Sequence, residues 1–386
     1  QRETTREEDR SIVIEGIIPT EIRGEAEAIR ATLAASLPSA RAAANALRAA
    51  GTRRIYVIGN GTSYHSALAA ATWYRHRAAA DQPTVIALPA GEFRHYLPAL
   101  GPGDAMIGIS ASGEFRDVIA LVEELRGRLP TLGIVHVPGS SLERLADYAV
   151  LSAGGPSRVP VMTKTYASTL TATLLVMAEL LGERTSRETR DALAQAADHV
   201  ESALATAEPR VSLVVERLSG CEHLFVVGGG TAAAAAAEAA LKLKEMALVH
   251  AEAAESWEMA SGAATIVGPG SAVIALAPAG EGREATLDLA RRALAWGATV
   301  VEVGPGADAE PGLATPGPDA GRGSAIPDAL HLPLDPSAAE DLSPLTAVAP
   351  VALLAFALAR ARGADPDRPA WVERYHSQGM RHIVGV

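Results

Sequence analysis

The sequence predicts an α/β protein with two tandem, doubly wound halves, each built on a parallel sheet with helices on both faces. Short apolar runs alternate with amphipathic or alanine-rich stretches, which is the pattern of βαβ units. The same order of elements occurs twice along the chain. The composition, with 48% hydrophobic and 20% charged residues over 386 positions, is typical of a globular protein with a large core.

The charge balance limits the classes of partner. The chain has 34 Lys and Arg residues against 45 Asp and Glu residues, and the formal net charge of −11 disfavours nucleic acid and anionic membranes. A single cysteine, Cys221, excludes an internal disulfide framework. We identify no apolar run long enough to span a bilayer, and the charged start QRETTREEDR is unlike a secretion signal. We therefore expect a cytoplasmic protein without membrane or nucleic-acid partners.

The stretch IYVIGNGTSYHSALAAATWY contains the motif around which the first half is organised. Ile55–Ile58 is a short apolar strand, and the glycines of Gly59–Gly61 allow a tight turn. Thr62 and Ser63 are N-cap candidates for the alanine-rich helix that follows. A strand, a glycine turn and a helix start together form a phosphate-binding geometry. Taken alone, the same stretch is equally compatible with an ordinary β–α turn.

Further elements follow in a regular order. The N-terminal segment, residues 1–50, is expected to form helices that are broken near Pro38. In the first half, strands are predicted at Val85–Leu88, Ala105–Ile109, Leu132–Val137 and Tyr148–Leu151, and helices from Gly91, over Asp117–Arg126 and over Met162–Leu181.

Three pairs of segments indicate an internal duplication. LFVVGGGTAAAA aligns with IYVIGNGTSYHS, which matches Gly230 to Gly61. GSAVIALAPAGE aligns with GDAMIGISASGE, and DALHLP is a weaker match to DYAVLS. An insertion in the second half lies in the Gly/Pro-rich segment 304–327, which we expect to be a mobile surface loop.

The two copies differ at hydroxyl positions. Ser63, Ser110 and Ser112 of the first half correspond to three alanines, Ala232, Ala277 and Ala279. Hydroxyls that could bind phosphate oxygens are therefore predicted in the first half only. The second half instead carries Glu238, Lys242 and Glu245, whose spacing places them on one helix face. This stripe is either functional, which we favour, or a solvated face stabilised by a Glu–Lys pair.

With these motifs the chain resembles the sugar isomerase (SIS) family, and within it the isomerase half of glucosamine-6-phosphate synthase, without the glutaminase half. The resemblance rests on GTSY, EFR, S-x-SGE, VPGSSL, TK, ALKLKE…HAEA and GADPDRP, in that order along the chain. It implies two tandem SIS domains with flavodoxin-like sheets. We expect a phosphate-binding domain over residues 51–205, a domain with the catalytic base over 206–360, and a tail over 361–386 that covers the active site.

The resemblance also implies roles for individual residues. Glu245 matches the general base that moves a proton between C1 and C2 of an open-chain sugar, and Lys242 matches a lysine that stabilises negative charge. The implied phosphate-binding set is Gly61, Thr62, Ser63, Ser110, Ser112, Gly113, Thr163 and Lys164. The implied chemistry requires neither a metal nor a cofactor.

Several positions depart from the family pattern. Ser261 occupies the position of the histidine that opens the sugar ring, and it cannot transfer a proton near neutral pH. Phe115, Met162 and Trp257 make the pocket smaller or more apolar, and Ala111 replaces a glutamine. His376 and His382, in the tail, could replace the missing histidine or could be exposed terminal residues; we list His376 as a catalytic candidate.

Two classes of function remain open at this point. The first is an enzyme, an aldose–ketose isomerase, a deaminase or a deglycase of Amadori-type phosphates. The second is a phosphosugar-binding module without catalysis, such as a sensor; a repressor with a helix-turn-helix is disfavoured by the acidic charge. In either class we expect a sugar phosphate as the ligand and, since such sites are typically completed by a neighbouring subunit, a homodimer.

Overall fold

The computed structural model describes Ile12 and residues 14–96, 99–306 and 324–372. The first half contains a parallel five-stranded sheet, as the apolar runs predict. Its elements, with the N-terminal helices, are α1 (Ile17–Arg23), α2 (Glu25–Ala49), β1 (Arg54–Gly59), α3 (Thr62–Arg77), β2 (Thr84–Pro89), α4 (Ala90–His95), β3 (Asp104–Ser110), α5 (Arg116–Leu125), β4 (Thr131–Val135), α6 (Ser141–Leu145), β5 (Tyr148–Leu151) and α7 (Lys164–Leu181).

The second half contains another parallel sheet of five strands, and a long helix leads into it. Its elements are α8 (Glu183–Leu218), β6 (His223–Gly228), α9 (Ala232–Ala247), β7 (His250–Glu255), α10 (Ser256–Ser261), a 3₁₀ turn (Ala263–Ile266), β8 (Ser271–Leu276), α11 (Arg283–Ala295), β9 (Thr299–Gly304), β10 (Leu330–Pro333), a second 3₁₀ turn (Glu340–Leu342), α12 (Ser343–Thr346) and α13 (Val348–Ala361).

Both sheets have the flavodoxin-like strand order. In the first, β1 pairs with both β2 and β3, which gives the order β2-β1-β3-β4-β5. In the second, β6 pairs with both β7 and β8, and the order is β10-β9-β8-β6-β7. Read from the equivalent edge, the two orders are the same, so the predicted fold class and the duplication are confirmed.

Backbone geometry at the paired glycines also agrees with the duplication. Gly61 follows β1 with φ 51°, and Gly230 follows β6 with φ 57°. Gly103 and Gly270, just before β3 and β8, have φ 92° and 84°. These angles lie in the region that favours glycine, so equivalent turns require the same residue.

Side chains alternate across each sheet and build three cores. Ile55 and Val57 of β1 face a central core that also contains residues of the second sheet, whereas Tyr56 and Ile58 face α4, α5 and α6. The outer face of the second sheet packs against α10 and α11. The central core lies between the two sheets, where α2, α3, α7, α8, α9 and α13 contact one another. The first turn of α3 is thereby brought against the middle of α9, where Thr62 contacts Glu238 and Lys242.

Pro38, where the sequence predicts a break, and Pro209 both lie in the interior of a long helix. The predicted break near Pro38 is wrong, because α2 continues through it. Proline in a helix interior costs about 3 kcal/mol, but α2 buries a long apolar face against α7 and α8, and this packing outweighs the local cost. Likewise, α8 continues through Pro209 as one helix of 36 residues, so the boundary predicted between 205 and 206 falls inside it.

One segment corrects the expectation about apolar length. Among the described residues, the helical stretch Glu340–Ala361 is long and apolar enough to cross a membrane, with a mean hydropathy of 2.0. The most apolar 18 residues of this stretch, to which the hydropathy value refers, are all buried inside the protein, so the stretch is a core element here. Most of the predicted loop 304–327 lies outside the described residues.

Candidate active site

The candidate site lies where β1 and β3 end. The chain leaves these adjacent strands in different directions, so a crevice forms beyond their carboxyl ends, which is where ligands bind in open α/β sheets. The turn Gly59–Gly61 follows β1, and the loop 110–114 follows β3. The strand order therefore places the two predicted phosphate-binding motifs side by side.

The turn after β1 is tight because glycine is required at two positions. A Cβ on Gly59 would lie 2.8 Å from the backbone carbon of Ser63, and Gly61 has φ 51°. Gly61 is the N-cap residue of α3, and no side chain caps the helix. The prediction that Thr62 or Ser63 is the N-cap is therefore wrong; both lie in the first helical turn, where the Ser63 N–H donates to the Asn60 carbonyl at 3.1 Å. The absence of a side-chain cap leaves the positive end of the helix dipole facing the crevice, which favours an anion.

Serine hydroxyls shape the loop after β3. The Ser110 hydroxyl accepts a hydrogen bond from the Gly113 N–H at 3.1 Å, and the Ser112 hydroxyl accepts one from the Glu114 N–H at 3.2 Å. Each serine keeps its own hydrogen, which can be donated to a phosphate oxygen. Ser110 is buried and Ser112 is exposed, so the pair spans the depth of the loop.

A third serine, Ser140, packs against the same loop. A Cβ on Gly113, where φ is 69°, would lie 2.1 Å from the Ser140 hydroxyl oxygen. That hydroxyl is buried and has no hydrogen-bond partner among the described residues. The sequence reasoning did not select Ser140, although VPGSSL contains it and its place after β4 could have indicated it.

The predicted stripe on α9 is buried rather than solvated. The ammonium of Lys242 lies 3.1 Å from Oε1 of Glu238 and 2.6 Å from Oε2 of Glu245. The side chain of Glu238 is fully buried, that of Lys242 is 1% exposed, and that of Glu245 is 23% exposed. Glu245 is thus the member of the stripe that small molecules can reach.

Two residues of α3 complete this arrangement. The Thr62 hydroxyl donates to Oε1 of Glu238 at 3.0 Å, and Nδ1 of His65 lies 2.7 Å from Oε2 of Glu238. The Lys242 ammonium also lies 3.3 Å from the Thr62 hydroxyl. We call Thr62, His65, Glu238, Lys242 and Glu245 the polar cluster; it joins the two halves of the chain. His65 was not predicted, although its i+3 spacing from Thr62 could have indicated a shared helix face.

The polar cluster adjusts the pKa values of its members. Burial raises the pKa of Glu245, and Lys242 opposes this rise without cancelling it. Burial also favours the neutral form of Glu238, but Lys242 and His65 together hold its pKa below the usual value. Burial disfavours the charged form of Lys242, but the two glutamates outweigh this effect and raise its pKa. A carboxylate with a raised pKa next to a fixed cation is suited to proton abstraction with charge stabilisation.

The remaining predicted site residues lie around this centre. Thr163, which precedes α7, is buried, and its hydroxyl has no partner among the described residues. The Lys164 ammonium donates to the carbonyl of Pro156 at 2.8 Å and lies 4.0 Å from Glu21. The structure thus brings Thr62, Lys242 and Glu245 into contact, but it directs Lys164 toward the loop before α7. Its phosphate-binding role, like that of Thr163, stays a prediction.

The last predicted site residues lie in the C-terminal tail and at position 261. The indole N–H of Trp371 donates to the backbone carbonyl of Glu245 at 2.9 Å, so the start of the tail lies on α9. His376 and His382 lie outside the described residues. The Ser261 hydroxyl donates to the Trp257 carbonyl in its own helix, at 2.8 Å. In the part of the chain that the structure describes, no group of three or more His, Cys, Asp or Glu side chains could hold a metal ion.

Residues 50–178 and 217–303 match the SIS domain, more than half of the chain. The chain belongs to the SIS domain family. Glutamine–fructose-6-phosphate aminotransferase (isomerizing) from Methanothermobacter thermautotrophicus is 32% identical to it over 316 residues, and the same enzyme from Aeropyrum pernix is 32% identical over 330. These matches cover 82% and 83% of this chain but 50% of each relative. The SIS chain thus spans about half the length of these curated relatives, in agreement with the predicted resemblance to an isomerase half.

Solved structures with the same fold include two proteins with named activities. The C-terminal domain of glucosamine-fructose-6-phosphate aminotransferase from Francisella tularensis has a TM-score of 0.79 at 24% identity, covering 92% of this SIS chain and 98% of that chain. Glucosamine-6-phosphate deaminase from Thermotoga maritima has a TM-score of 0.70 at 20% identity, with coverages of 92% and 98%. At these identities the likeness shows the fold alone.

Glu25, in α2, is a further buried carboxyl group whose charge is coupled to Lys242 and Glu238 of the polar cluster. Burial raises its pKa to about 8, an effect larger than the opposing attraction of Lys242. At neutral pH the folded protein therefore holds Glu25 mainly as the neutral acid.

The Glu25→Gln variant should be more stable than the parent at high pH. Between pH 4.5 and 8 the folded state holds a proton on Glu25 that the unfolded state has lost, so stability falls as pH rises through this window. Over the whole window the free energy of unfolding should fall by at most about 5 kcal/mol, since each pH unit corresponds to about 1.4 kcal/mol. Denaturant unfolding from pH 5 to 9 measures the slope of the free energy of unfolding against pH. Glu25→Gln should flatten this slope, whereas Glu27→Gln, at an exposed position, should leave it unchanged. An unchanged slope in Glu25→Gln would contradict the assignment.

Proposed function

We propose that this protein is an enzyme acting on sugar phosphates, an isomerase or deaminase, in which Glu245 moves a proton between C1 and C2 of an open-chain ketose or amino-sugar phosphate. The observation that carries the proposal is the contact of 2.6 Å between Lys242 and the partly exposed Glu245. This pair lies in the polar cluster that joins α9 to Thr62, at the turn after β1. The curated relatives, named as glutamine–fructose-6-phosphate aminotransferases, support the same class of substrate.

In this proposal the two halves have separate tasks. The first half holds the phosphate with the N–H groups at the start of α3 and with the hydroxyls of Ser63, Ser110 and Ser112. The second half carries out the proton transfer. Glu245 takes the proton from one carbon, the electron pair of the C–H bond forms the C1–C2 double bond of an enediol or enolamine, and the electrons of the former C=O or C=N double bond move to its oxygen or nitrogen. Glu245 then protonates the neighbouring carbon, and its proton can exchange with solvent before this return. Lys242 stabilises the negative charge that develops on oxygen.

Glu238 has a positioning role in this proposal. It accepts a hydrogen bond from Thr62 and contacts both His65 and Lys242, so both carboxylate oxygens have partners. Since Glu238 is fully buried, its negative charge requires these partners. The Lys242 ammonium is thereby held between Glu238 and Glu245.

His65 is our candidate for the ring-opening group that Ser261 cannot supply. Its Nδ1 is held by Glu238, and the side chain is 16% exposed, so the other ring nitrogen is free to exchange protons with a bound sugar. His376 remains the alternative candidate from the tail.

The His65→Asn variant should lose turnover on cyclic substrates by roughly 10²-fold or more, as for the loss of a general acid–base group. It should retain activity on acyclic substrates, because these need no ring opening, and an asparagine amide can still donate to Glu238. His376→Ala is the matched comparison. Rates with a pyranose phosphate and with an acyclic analogue measure both effects. A loss confined to His376→Ala would assign the role to the tail, and an equal loss on both substrates would remove His65 from ring opening.

The alternative is a phosphosugar-binding module without catalysis, such as a sensor. The observation that favours it is Ser261, whose hydroxyl is bonded within α10 and offers no acid–base group. A thermal-shift panel of hexose, pentose, amino-sugar and Amadori phosphates would identify the ligand, since specific binding raises Tm. A preference for Amadori phosphates over hexose phosphates in this panel would favour the deglycase as the reaction to assay.

We propose in addition that the protein is a homodimer with the region 250–262 near the subunit boundary. Trp257 in α10 is 73% exposed, and Ile266 in the neighbouring 3₁₀ turn is 64% exposed. Large apolar side chains exposed near each other are typical of interfaces. Light scattering at micromolar concentration should give the mass of a dimer, and the mass of a monomer would contradict the proposal.

A further inference from the structure

The second half contains a crevice equivalent to the phosphate crevice of the first. β6 and β8 are adjacent, as β1 and β3 are, and a glycine turn follows β6. A Cβ on Gly228 would lie 2.6 Å from the carbonyl oxygen of Ala232, and Gly230 has φ 57°. The backbone of an anion-binding turn is therefore intact here, although the serines of the first half are alanines.

The carboxylate of Glu340 fills this second crevice. Its Oε2 accepts a hydrogen bond from the Gly282 N–H at 2.7 Å. A Cβ on Gly230 would lie 1.9 Å from Oε1, and a Cβ on Gly280 would lie 2.3 Å from Oε2. The carboxylate thus lies between the turn after β6 and the loop after β8. At the equivalent Gly61 of the first half, the nearest atom to such a Cβ is 3.9 Å away, in Leu241.

The backbone around Glu340 holds it in this position. Its N–H donates to the carbonyl of Ala279 at 2.9 Å, and its carbonyl accepts the Thr231 hydroxyl at 2.7 Å. Ala279 and Ala339 also form an isolated parallel bridge. The chain then continues into α12 and α13, which pack on α9. The contacts of Glu340 therefore tie the helices behind the polar cluster to the second sheet.

We infer that Glu340 is a built-in anionic ligand: its carboxylate occupies, in the second half, the site that a phosphate would take in the first. The duplicated anion site has been kept, but an internal carboxylate fills it. The second half then binds no free anion while Glu340 is in place. Removal of the side chain would leave a site for a small oxyanion such as inorganic phosphate. The inference concerns the second crevice only and does not depend on the reaction proposed above.

The test removes the carboxylate and offers inorganic phosphate in its place. Glu340→Ala is made in a chain that also carries Ser110→Ala and Ser112→Ala, so that phosphate binding in the first half is suppressed. We expect a lower Tm than in the parent of this test, the Ser110→Ala/Ser112→Ala chain that keeps Glu340. When phosphate replaces chloride at equal ionic strength, the Tm of the Glu340→Ala variant should show a saturable rise of about 2–5 °C. The parent should show no such rise.

Glu340→Gln in the same background is the matched control. It keeps the size of the side chain and fills the crevice, but it lacks the charge, so it should lower Tm without recovery by phosphate. If Glu340→Ala is unfolded in chloride, recovery of folded protein in phosphate becomes the measurement. Equal phosphate effects in both variants, or no recovery in a Glu340→Ala protein while Glu340→Gln folds, would overturn the inference.

Discussion

The Glu245→Gln variant is expected to exchange the hydrogen that Glu245 removes, at C1 of a ketose phosphate or at C2 of an aldose or amino-sugar phosphate, with solvent roughly 10²–10⁴-fold more slowly than the parent. Glutamine has the shape of glutamate but cannot accept the proton, whereas Lys242 and the phosphate site remain. Ligand affinity should therefore change little. Incubation in D₂O followed by NMR measures the exchange directly, whether the net reaction is isomerisation or deamination.

The pH profile and a control variant make this result specific. Because burial raises the pKa of Glu245, the exchange rate of the parent should fall, as pH is lowered, at a higher pH than for an ordinary glutamate. Glu216→Gln, at an exposed position of α8, should leave the exchange rate unchanged. If the correct ligand binds tightly and no exchange depends on Glu245, the enzyme proposal is wrong and the binding module stands.

Elements were predictable from the sequence where local pattern and tertiary packing agree. β1, with the apolar run Ile55–Ile58 and a glycine turn, is defined by neighbouring residues alone. The repeated glycines indicated the duplication, and the strand order of both sheets agrees with the flavodoxin-like sheets that the resemblance implied. Pro38 was misjudged because its local effect is opposed by the packing of α2 against distant helices, which no window around residue 38 contains.

The site was predictable in part for the same reason. The Glu245–Lys242 pair lies within one helical turn, so its spacing was visible. The contacts of His65 and Thr62 with Glu238 join residues more than 170 positions apart, and only the packing of α3 on α9 brings them together. The role of Glu340 was even harder to predict from the sequence, because it depends on a crevice in which alanines stand in place of the serines of the first half.

If the proposed function is correct, these observations explain why a duplicated fold would hold one substrate. Both halves retain the glycine turn, but the first keeps its hydroxyls and has free space beside Gly61, whereas in the second Glu340 occupies the space beside Gly230. The second half then supplies Glu245 and Lys242 from α9, the helix that follows the occupied turn. The hydrogen bonds of Glu340 fix the surroundings of α9, which favours a rigid placement of the base relative to the phosphate.

The double variant Ser110→Ala/Ser112→Ala is expected to bind the sugar phosphate far more weakly than the parent. Each hydroxyl lost to a charged ligand costs roughly 1–3 kcal/mol, so the two together should raise Kd by about 30-fold to 2 × 10⁴-fold if their effects add. The loss should be absent for the dephosphorylated sugar, because in the proposed function these two serines bind the phosphate group. Calorimetric titration with both ligands measures the difference.

The reciprocal variant tests why the first half alone holds the anion. Ala277→Ser/Ala279→Ser restores hydroxyls to the equivalent loop of the second half, yet it should create no second phosphate site, because Glu340 already fills the crevice there. Titration should therefore still give one site per chain with an unchanged Kd. Unchanged affinity in Ser110→Ala/Ser112→Ala would refute the phosphate assignment, whereas a second site in the reciprocal variant would show that the missing hydroxyls, and not the carboxylate, keep the second half empty.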